Sequence, residues 1–322
     1  MDDINVIVLG DPADSSVKKL ADLGADVMVT MAKTAAELEP ALANADVLLN
    51  WAGSRAEVNR IFGAAPRLKW IQTRSVGLDS LLFPELIESP VLLTNGKGTF
   101  SQSLGEFVIA GALYWAKDLP RMLRSQAERK WDVFSVSELS KQTMGIVGHG
   151  DIGRAIARRA KAFGMRVLGL RRDSAARAGD EDADRVYATK ELHDMLPECD
   201  YVVVAAPLTP ATKHLMSTAE FNAMKPEAII MNVGRGPVID EAAMTEALRS
   251  GRIRGAALDV FEVEPLPPES PLWEMKNVLM SAHTADHTKD WMNDSAIFFL
   301  EQFARWKKGE PLKNVVDKRA GY

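Results

Sequence analysis

The chain has 322 residues, 47% of them hydrophobic and 26% charged, with a formal net charge of -5. That length calls for two domains of roughly 150 residues each, and the composition excludes a disordered chain. The acidic balance gives no reason to expect a nucleic acid or an anionic membrane as partner.

The start, Met1-Asp-Asp-Ile-Asn-Val-Ile-Val-Leu, is acidic and runs straight into a strand-like segment, so no signal peptide is expected. Strands are predicted at 5–9, 26–30, 46–50, 70–73 and 91–94, with helices at 17–23 and 55–62 between them. This reads as one open α/β domain of five strands without a glycine-rich phosphate loop. A long helix follows at 103–117. Ser103 would cap it, with Glu106 three residues on as in a capping box. Its apolar stretch, 107–116, is far shorter than the roughly 18 residues of a membrane span. A loop around Trp131 leads to a second α/β domain. Strands are predicted there at 143–147, 166–170, 201–205, 228–233, 253–258 and 278–281. Helices fit 152–163, 191–196, 219–224 and 241–250, with Pro226 and Gly251 punctuating helix ends. The last helix, about 289–308, comes after this domain has used its strands, so it should pack back on the first. The expected division is therefore 1–101 with 288–322 against an inserted 102–287. The lone cysteine, Cys199, excludes an internal disulfide and a cysteine metal cluster. Its apolar neighbours suggest an inert thiol, and a cytoplasmic location follows by default.

Gly148-His-Gly150-Asp151-Ile152-Gly153 follows an apolar strand and opens an amphipathic helix, the context in which G-x-G-x-x-G binds a dinucleotide. Gly148 allows the tight turn, Gly150 lets the backbone approach the pyrophosphate, and Gly153 lets the helix pack. The amides near Asp151 and Ile152 would receive the pyrophosphate. The end of the next strand reads Leu170-Arg171-Arg172-Asp173. An acid there would take the adenine ribose of NAD, whereas two guanidinium groups can fork onto the 2′-phosphate of NADP. NADP is favoured, with NAD as the alternative.

Three later strands end in chemistry-bearing residues: Asn232-Val233-Gly234-Arg235-Gly236, Asp259-Val260-Phe261-Glu262-Val263-Glu264-Pro265, and Ser281-Ala282-His283-Thr284-Ala285-Asp286. With the Gly148 loop, these resemble the D-isomer-specific 2-hydroxyacid dehydrogenase family across essentially the whole chain. The resemblance implies two Rossmann-like domains, flavodoxin-like plus dinucleotide-binding, with a cleft between them, and a homodimer. It implies that Arg235 binds the substrate, Glu264 partners the histidine and His283 is the acid/base. Asp259 would meet the nicotinamide carboxamide, with Pro207, Thr212 and Val233 also on the cofactor. Thr73-Arg74-Ser75-Val76-Gly77 resembles the substrate loop, where the Val76 and Gly77 amides hold the substrate carboxylate. Trp51 would line and shorten the pocket, and Arg74 is either structural or greets a second acidic group. No metal is expected. Asp151 stands where many relatives carry a base, and Arg154 is the candidate to compensate.

The chemistry fits these residue types. Reduction of a ketone builds charge on oxygen that a protonated histidine quenches. A carboxylate on the other ring nitrogen fixes the tautomer, and an arginine bridges carboxylate and carbonyl. The implied reaction interconverts a short 2-oxo acid, such as glyoxylate, hydroxypyruvate or pyruvate, and its D-2-hydroxy acid. Relatives acting on formate, phosphite or phosphoglycerate, and a dinucleotide-sensing corepressor or scaffold, are the alternatives.

Overall fold

The computed structural model describes residues 3–172 and 180–322 and divides into two compact units, Met1–Thr99 with Lys289–Tyr322 and Phe100–Thr288. In the first unit, strands β1 (Ile4–Leu9), β2 (Val27–Ala32), β3 (Val47–Asn50), β4 (Trp70–Thr73) and β5 (Leu92–Thr94) form a parallel sheet in the order β2-β1-β3-β4-β5. Val6 sits level with Val29 on one side and Val47 on the other. Every position of β3 and β4 is buried. A parallel sheet covered on both faces needs strands that read as unbroken apolar runs. Helices α1 (Ser15–Lys18), α2 (Glu39–Leu42), α3 (Arg55–Ala64), α4 (Pro84–Glu88) and α11 (Trp291–Lys307) belong to this unit. Ser54 and Glu57 close a capping box at the start of α3, satisfying donors that a helix start leaves open. The last helix, α11, lays Phe299 and Phe303 into the core beside Trp70. The Trp70 ring stacks at 5.7 Å from Phe299 and 6.1 Å from Trp306. Each buried phenylalanine stabilises this packing by roughly 1.5–3 kcal/mol. Fully buried Gln302 ties the tail to the helix through both ends of its amide, to Lys313 O at 2.7 Å and from Lys313 N at 3.0 Å.

The second unit has seven parallel strands: β6 (Thr143–Val147), β7 (Arg166–Arg171), β8 (Arg185–Ala188), β9 (Tyr201–Val204), β10 (Ile229–Asn232), β11 (Gly255–Leu258) and β12 (Val278–Met280). Their order, β12-β11-β10-β9-β6-β7-β8, reverses between β6 and β9. Ligands of open α/β sheets bind at such a reversal, beyond the carboxyl ends of the strands. The helices are α5 (Ser101–Ala116), α6 (Leu119–Ala127), α7 (Asp151–Ala162), α8 (Leu192–Met195), α9 (Thr218–Ala223) and α10 (Glu241–Arg249). Cys199 is fully buried and donates to Met195 O at 3.2 Å. Burial pushes its thiol up to about 12, so it is inert in the folded state.

The sequence reading departs from this fold in several places, the short helices α2 and α4 among them. Ser103 does not cap α5, which starts two residues earlier. Its hydroxyl instead donates to Ala285 O at 2.5 Å. The helix expected at 17–23 is the single turn of α1. Edge strand β8 and helix α6 were not anticipated. Asp118 caps α6 from a left-handed conformation, and Pro120 occupies its first turn. After α6, Arg121 holds Asp132 with two hydrogen bonds of 2.6 and 2.9 Å and lies 4.2 Å from the Phe134 ring. Trp131, 96% exposed, is thus carried on a pinned loop, with Val133 and Leu123 also exposed.

Candidate active site

The glycine loop joins β6 to α7. Gly148 has φ +98, and a Cβ there would lie 2.5 Å from Ala206 N. A side chain is excluded on both counts. A Cβ on Gly153 would lie 2.5 Å from Gly148 O, which shows how closely helix and loop pack. A Cβ on Gly150 would meet nothing within 4 Å. The loop is therefore tight beneath and open above. No side chain caps α7 at Gly150. The first N–H groups of a helix have no intrahelical partners, so those of Asp151, Ile152 and Gly153 suit an anion. The residues present fit a dinucleotide pyrophosphate at this turn. The Asp151 carboxylate accepts a hydrogen bond from Ser101. The guanidinium of Arg154, the candidate to compensate for it, pairs with Asp180 at 2.8 Å and Asp182 at 3.3 Å.

Arg171 ends β7, 3.8 Å from the Asp180 carboxylate, and Arg172 follows it. Asp173 lies outside the described residues. His149, inside the glycine loop, is buried against Gly169, with its Nε2 3.3 Å from the Asp180 carboxylate. Desolvation holds the His149 ring below its ordinary range. Asp180, almost fully buried, is held below the usual carboxylate range. The neighbouring His149 ring, the Asp182 N–H and Arg154 outweigh the opposing effect of burial. Sequence reasoning missed Asp180, because its position far beyond β7 carries no pattern. Beyond β9, Thr212 accepts from Thr209 N at 2.8 Å and donates to Pro207 O at 2.6 Å, closing the 207–212 turn. Val233 is buried and donates its N–H to Val204 O at 3.0 Å.

The ends of β10, β11 and β12 lie side by side in the sheet. Beyond β10, Asn232 accepts from Gly234 N at 3.0 Å and donates to Arg235 O at 3.0 Å, while Arg235 donates to Gly234 O at 2.9 Å. A Cβ on Gly236 would meet Phe261 O at 1.8 Å. Only glycine lets the Arg235 turn lie on the segment that leads to Glu264. One Glu264 oxygen accepts from Phe261 N at 2.9 Å and the other from His283 Nδ1 at 2.7 Å. A carboxylate only accepts, so Nδ1 carries the proton and Nε2 is left for chemistry. His283 and Glu264 are both partly exposed.

His283 has φ +53, a conformation that needs support from its surroundings. Buried Asp259 provides it. Its carbonyl accepts from His283 N at 2.8 Å. Its Oδ1 accepts from Ser281 Oγ at 2.5 Å, Thr284 N at 2.9 Å and Ala285 N at 3.0 Å. Asp259 is thus the anchor of the His283 loop, whatever else it meets. Glu262 pairs with His214 at 3.1 Å.

In the first unit, the N–H groups of Val76 and Gly77 make no hydrogen bond among the described residues, and Val76 O accepts from Asn95 Nδ2 at 2.8 Å. Arg74 donates to Trp51 O at 2.9 Å, and its guanidinium lies 4.5 Å from the Trp291 ring and 5.4 Å from the Trp51 ring. Trp51 is only 4% exposed and belongs to the core beside Val8 and Leu49.

Residues 109–285 match the family described as D-isomer specific 2-hydroxyacid dehydrogenase, NAD binding domain. The chain is similar to a D-3-phosphoglycerate dehydrogenase of Methanocaldococcus jannaschii, 32% identical over 97% of this chain, which spans 59% of that relative's length. It is similar to a glyoxylate reductase of Korarchaeum cryptofilum, 35% identical over 80% of this chain and 79% of that one. A solved structure of an NADPH-dependent glyoxylate/hydroxypyruvate reductase from Sinorhizobium meliloti, in complex with NADP and sulfate, superposes with a TM-score of 0.84. The two are 29% identical over 99% of this chain and all of that one.

Proposed function

The chain belongs to the D-isomer specific 2-hydroxyacid dehydrogenase family and takes NAD(P) as cofactor, and we propose that it reduces short 2-oxo acids to D-2-hydroxy acids. The observation that carries this reading is the 2.7 Å pair of His283 and Glu264, on strand ends adjacent to that of Arg235. The bound nicotinamide supplies or takes the hydride. The protein's own groups do the rest. His283 Nε2 delivers the proton to the nascent alkoxide, and Glu264 stabilises the imidazolium that does so. Arg235 orients the substrate carboxylate and polarises the carbonyl. The Val76 and Gly77 amides, which make no hydrogen bond among the described residues, suit the substrate carboxylate.

Arg171 and Arg172 favour NADP over NAD, in line with the NADPH-dependent relative. The NADP pool is kept reduced in cells, which suits the reductive direction. Glyoxylate and hydroxypyruvate are the expected substrates, named in the similar reductases. A second copy of the chain is the expected partner, on the apolar side chains displayed by α6 and the pinned Trp131 loop. Sedimentation at micromolar concentration tests that, and a monomeric mass defeats it. The single buried thiol suits a reducing compartment such as the cytoplasm.

The deciding experiment is NADPH oxidation with a panel of glyoxylate, hydroxypyruvate, pyruvate, phenylpyruvate and 3-phosphohydroxypyruvate. Turnover best on glyoxylate or hydroxypyruvate supports the reading. A preference for the phosphorylated acid points to the phosphoglycerate branch instead. NADPH binding with no turnover on any of the panel points to a dinucleotide-sensing scaffold.

A further inference from the structure

The first turn of α5 holds both loops that the proposed reaction needs. The hydroxyl of buried Ser101 donates to the Asp151 carboxylate, at the start of α7 in the turn that suits a pyrophosphate. Ser103 Oγ donates to Ala285 O at 2.5 Å, two residues beyond His283. Residues two apart on a helix do not share a face, so one turn reaches two different loops. Between them, Gln102 Oε1 accepts from Arg159 of α7 at 2.5 Å.

The helix beneath these hydroxyls is firmly seated. It buries Leu104, Val108, Ala112 and Trp115 along one stripe. Tyr201 of β9 donates to Ala112 O at 3.3 Å, and a Cβ on Gly111 would lie 3.1 Å from Ala257 Cβ of β11. The Ala285 peptide is therefore gripped at both ends, its N–H by Asp259 at 3.0 Å and its carbonyl by Ser103. Strand pairing does not set one loop against the other. The loops leave β6 and β12, which have β9, β10 and β11 between them in the sheet.

Hydride and proton must reach one carbonyl group from fixed positions, and a misplacement of about 1 Å costs on the order of a hundredfold in rate. We propose that the first turn of α5 is a brace that sets the proton donor against the dinucleotide, with Ser101 and Ser103 as its two positioning residues. The proposal rests on His283 being the proton carrier. A brace has a thermodynamic sign. A ligand that steadies one braced loop also steadies the other.

The test uses ADP-ribose 2′-phosphate, which keeps the adenosine and pyrophosphate of NADP but lacks the nicotinamide that would face His283. At saturation it should slow hydrogen exchange in the wild-type peptide spanning 281–288 by about fivefold, the low end of typical coupling between sites. In Ser103→Ala that slowing should vanish. The same variant should lose kcat by roughly tenfold, with the KM for the 2-oxo acid and the Kd for NADPH within about twofold. Ser103→Thr, which keeps the hydroxyl, should restore both. Ser101→Ala cuts the other end of the brace, and it too should abolish the slowing, although its hydroxyl bonds to Asp151 and not to the His283 loop. A wild type in which the ligand slows nothing overturns the proposal. So does slowing retained in either alanine variant, or an unchanged kcat in Ser103→Ala. Should Ser103→Ala fail to fold, exchange in Ser101→Ala decides alone. His283→Ala separates the two readings. Full activity in that variant defeats the proton-carrier assignment, whereas an inactive His283→Ala beside an unaltered Ser103→Ala defeats only the brace.

Discussion

Two of the histidine–carboxylate pairs in the second unit have opposite settings. His283 and Glu264 meet at 2.7 Å with 41% and 35% of their side chains exposed. His149 and Asp180 approach to 3.3 Å with 0% and 2% exposed. The same two residue types therefore do different work. An open pair can pass a proton to a ligand, with the carboxylate selecting which nitrogen carries it. A sealed pair cannot exchange a proton without admitting water or distorting the fold. Desolvation favours the neutral form of the His149 ring, and Asp180 also pairs with Arg154 at 2.8 Å and lies 3.8 Å from Arg171.

The sharpest break between the pairs is expected from deletion. His283→Ala should lower kcat by about a hundredfold or more, the scale of a lost general acid, with the Kd for NADPH unchanged. His149→Leu should leave kcat within about twofold. Stopped-flow and steady-state rates on both variants check this, and a comparable loss in His149→Leu would erase the distinction. Next in size is Arg235→Lys, expected to be nearly as damaging as Arg235→Ala because an ammonium cannot reproduce the planar fork. Near-normal kcat/KM in the lysine variant would show that a point charge suffices. At the other end of the sheet, replacing Arg171 and Arg172 together by alanine should raise the KM for NADPH by about tenfold and that for NADH little. Equal effects on both cofactors would show that neither arginine reads the 2′-phosphate.

The smallest effect concerns stability and pH. The His149 ring is below its ordinary range in the folded state, so folding favours its neutral form. That contribution is present above the unfolded value, near 6.5, and is lost as pH falls from there through the folded one. Wild-type Tm should therefore decline more steeply below pH 6.5 than the Tm of His149→Leu, by a few degrees at most for a chain of this size. Parallel declines would show that His149 does not titrate on unfolding.

The sequence made the open pair readable and hid the sealed one. Arg235, Glu264 and His283 each follow an apolar strand, and parallel strands bring their carboxyl ends together whatever loops intervene. The glycine loop is legible because its backbone needs, φ +98 at Gly148 and close packing at Gly153, leave little choice of residue. Asp180 has no such signature, since its partners come from a loop, a helix and a strand end that only the fold assembles. Asp286 stands three residues after His283, yet a polar residue in a loop normally signals solvent. Burial of its Oδ1 is a tertiary fact. The place of Trp51 after β3 suggests a pocket wall, and its buried side chain lines a small cavity with Leu49, Gln72 and Arg74 while packing so close to Gly10 that a Cβ there would touch Trp51 Cβ at 2.9 Å. Strand β8 escaped notice as a short edge strand beginning at Arg185, and α6 because Pro120 and its charged residues read as loop.

One packed thiol has a practical consequence. Cys199 is the sole cysteine, sits against Gly145 of β6, and is enclosed by the core of the second unit. A thiol-specific reagent can reach it only when that core opens. The rate of labelling under native conditions is therefore a clock for opening of the cofactor-binding unit, readable without introducing any probe. Any dinucleotide that binds the closed unit must slow that clock in proportion to its affinity, so a test tube of protein, reagent and cofactor ranks NADPH against NADH before a single turnover is measured.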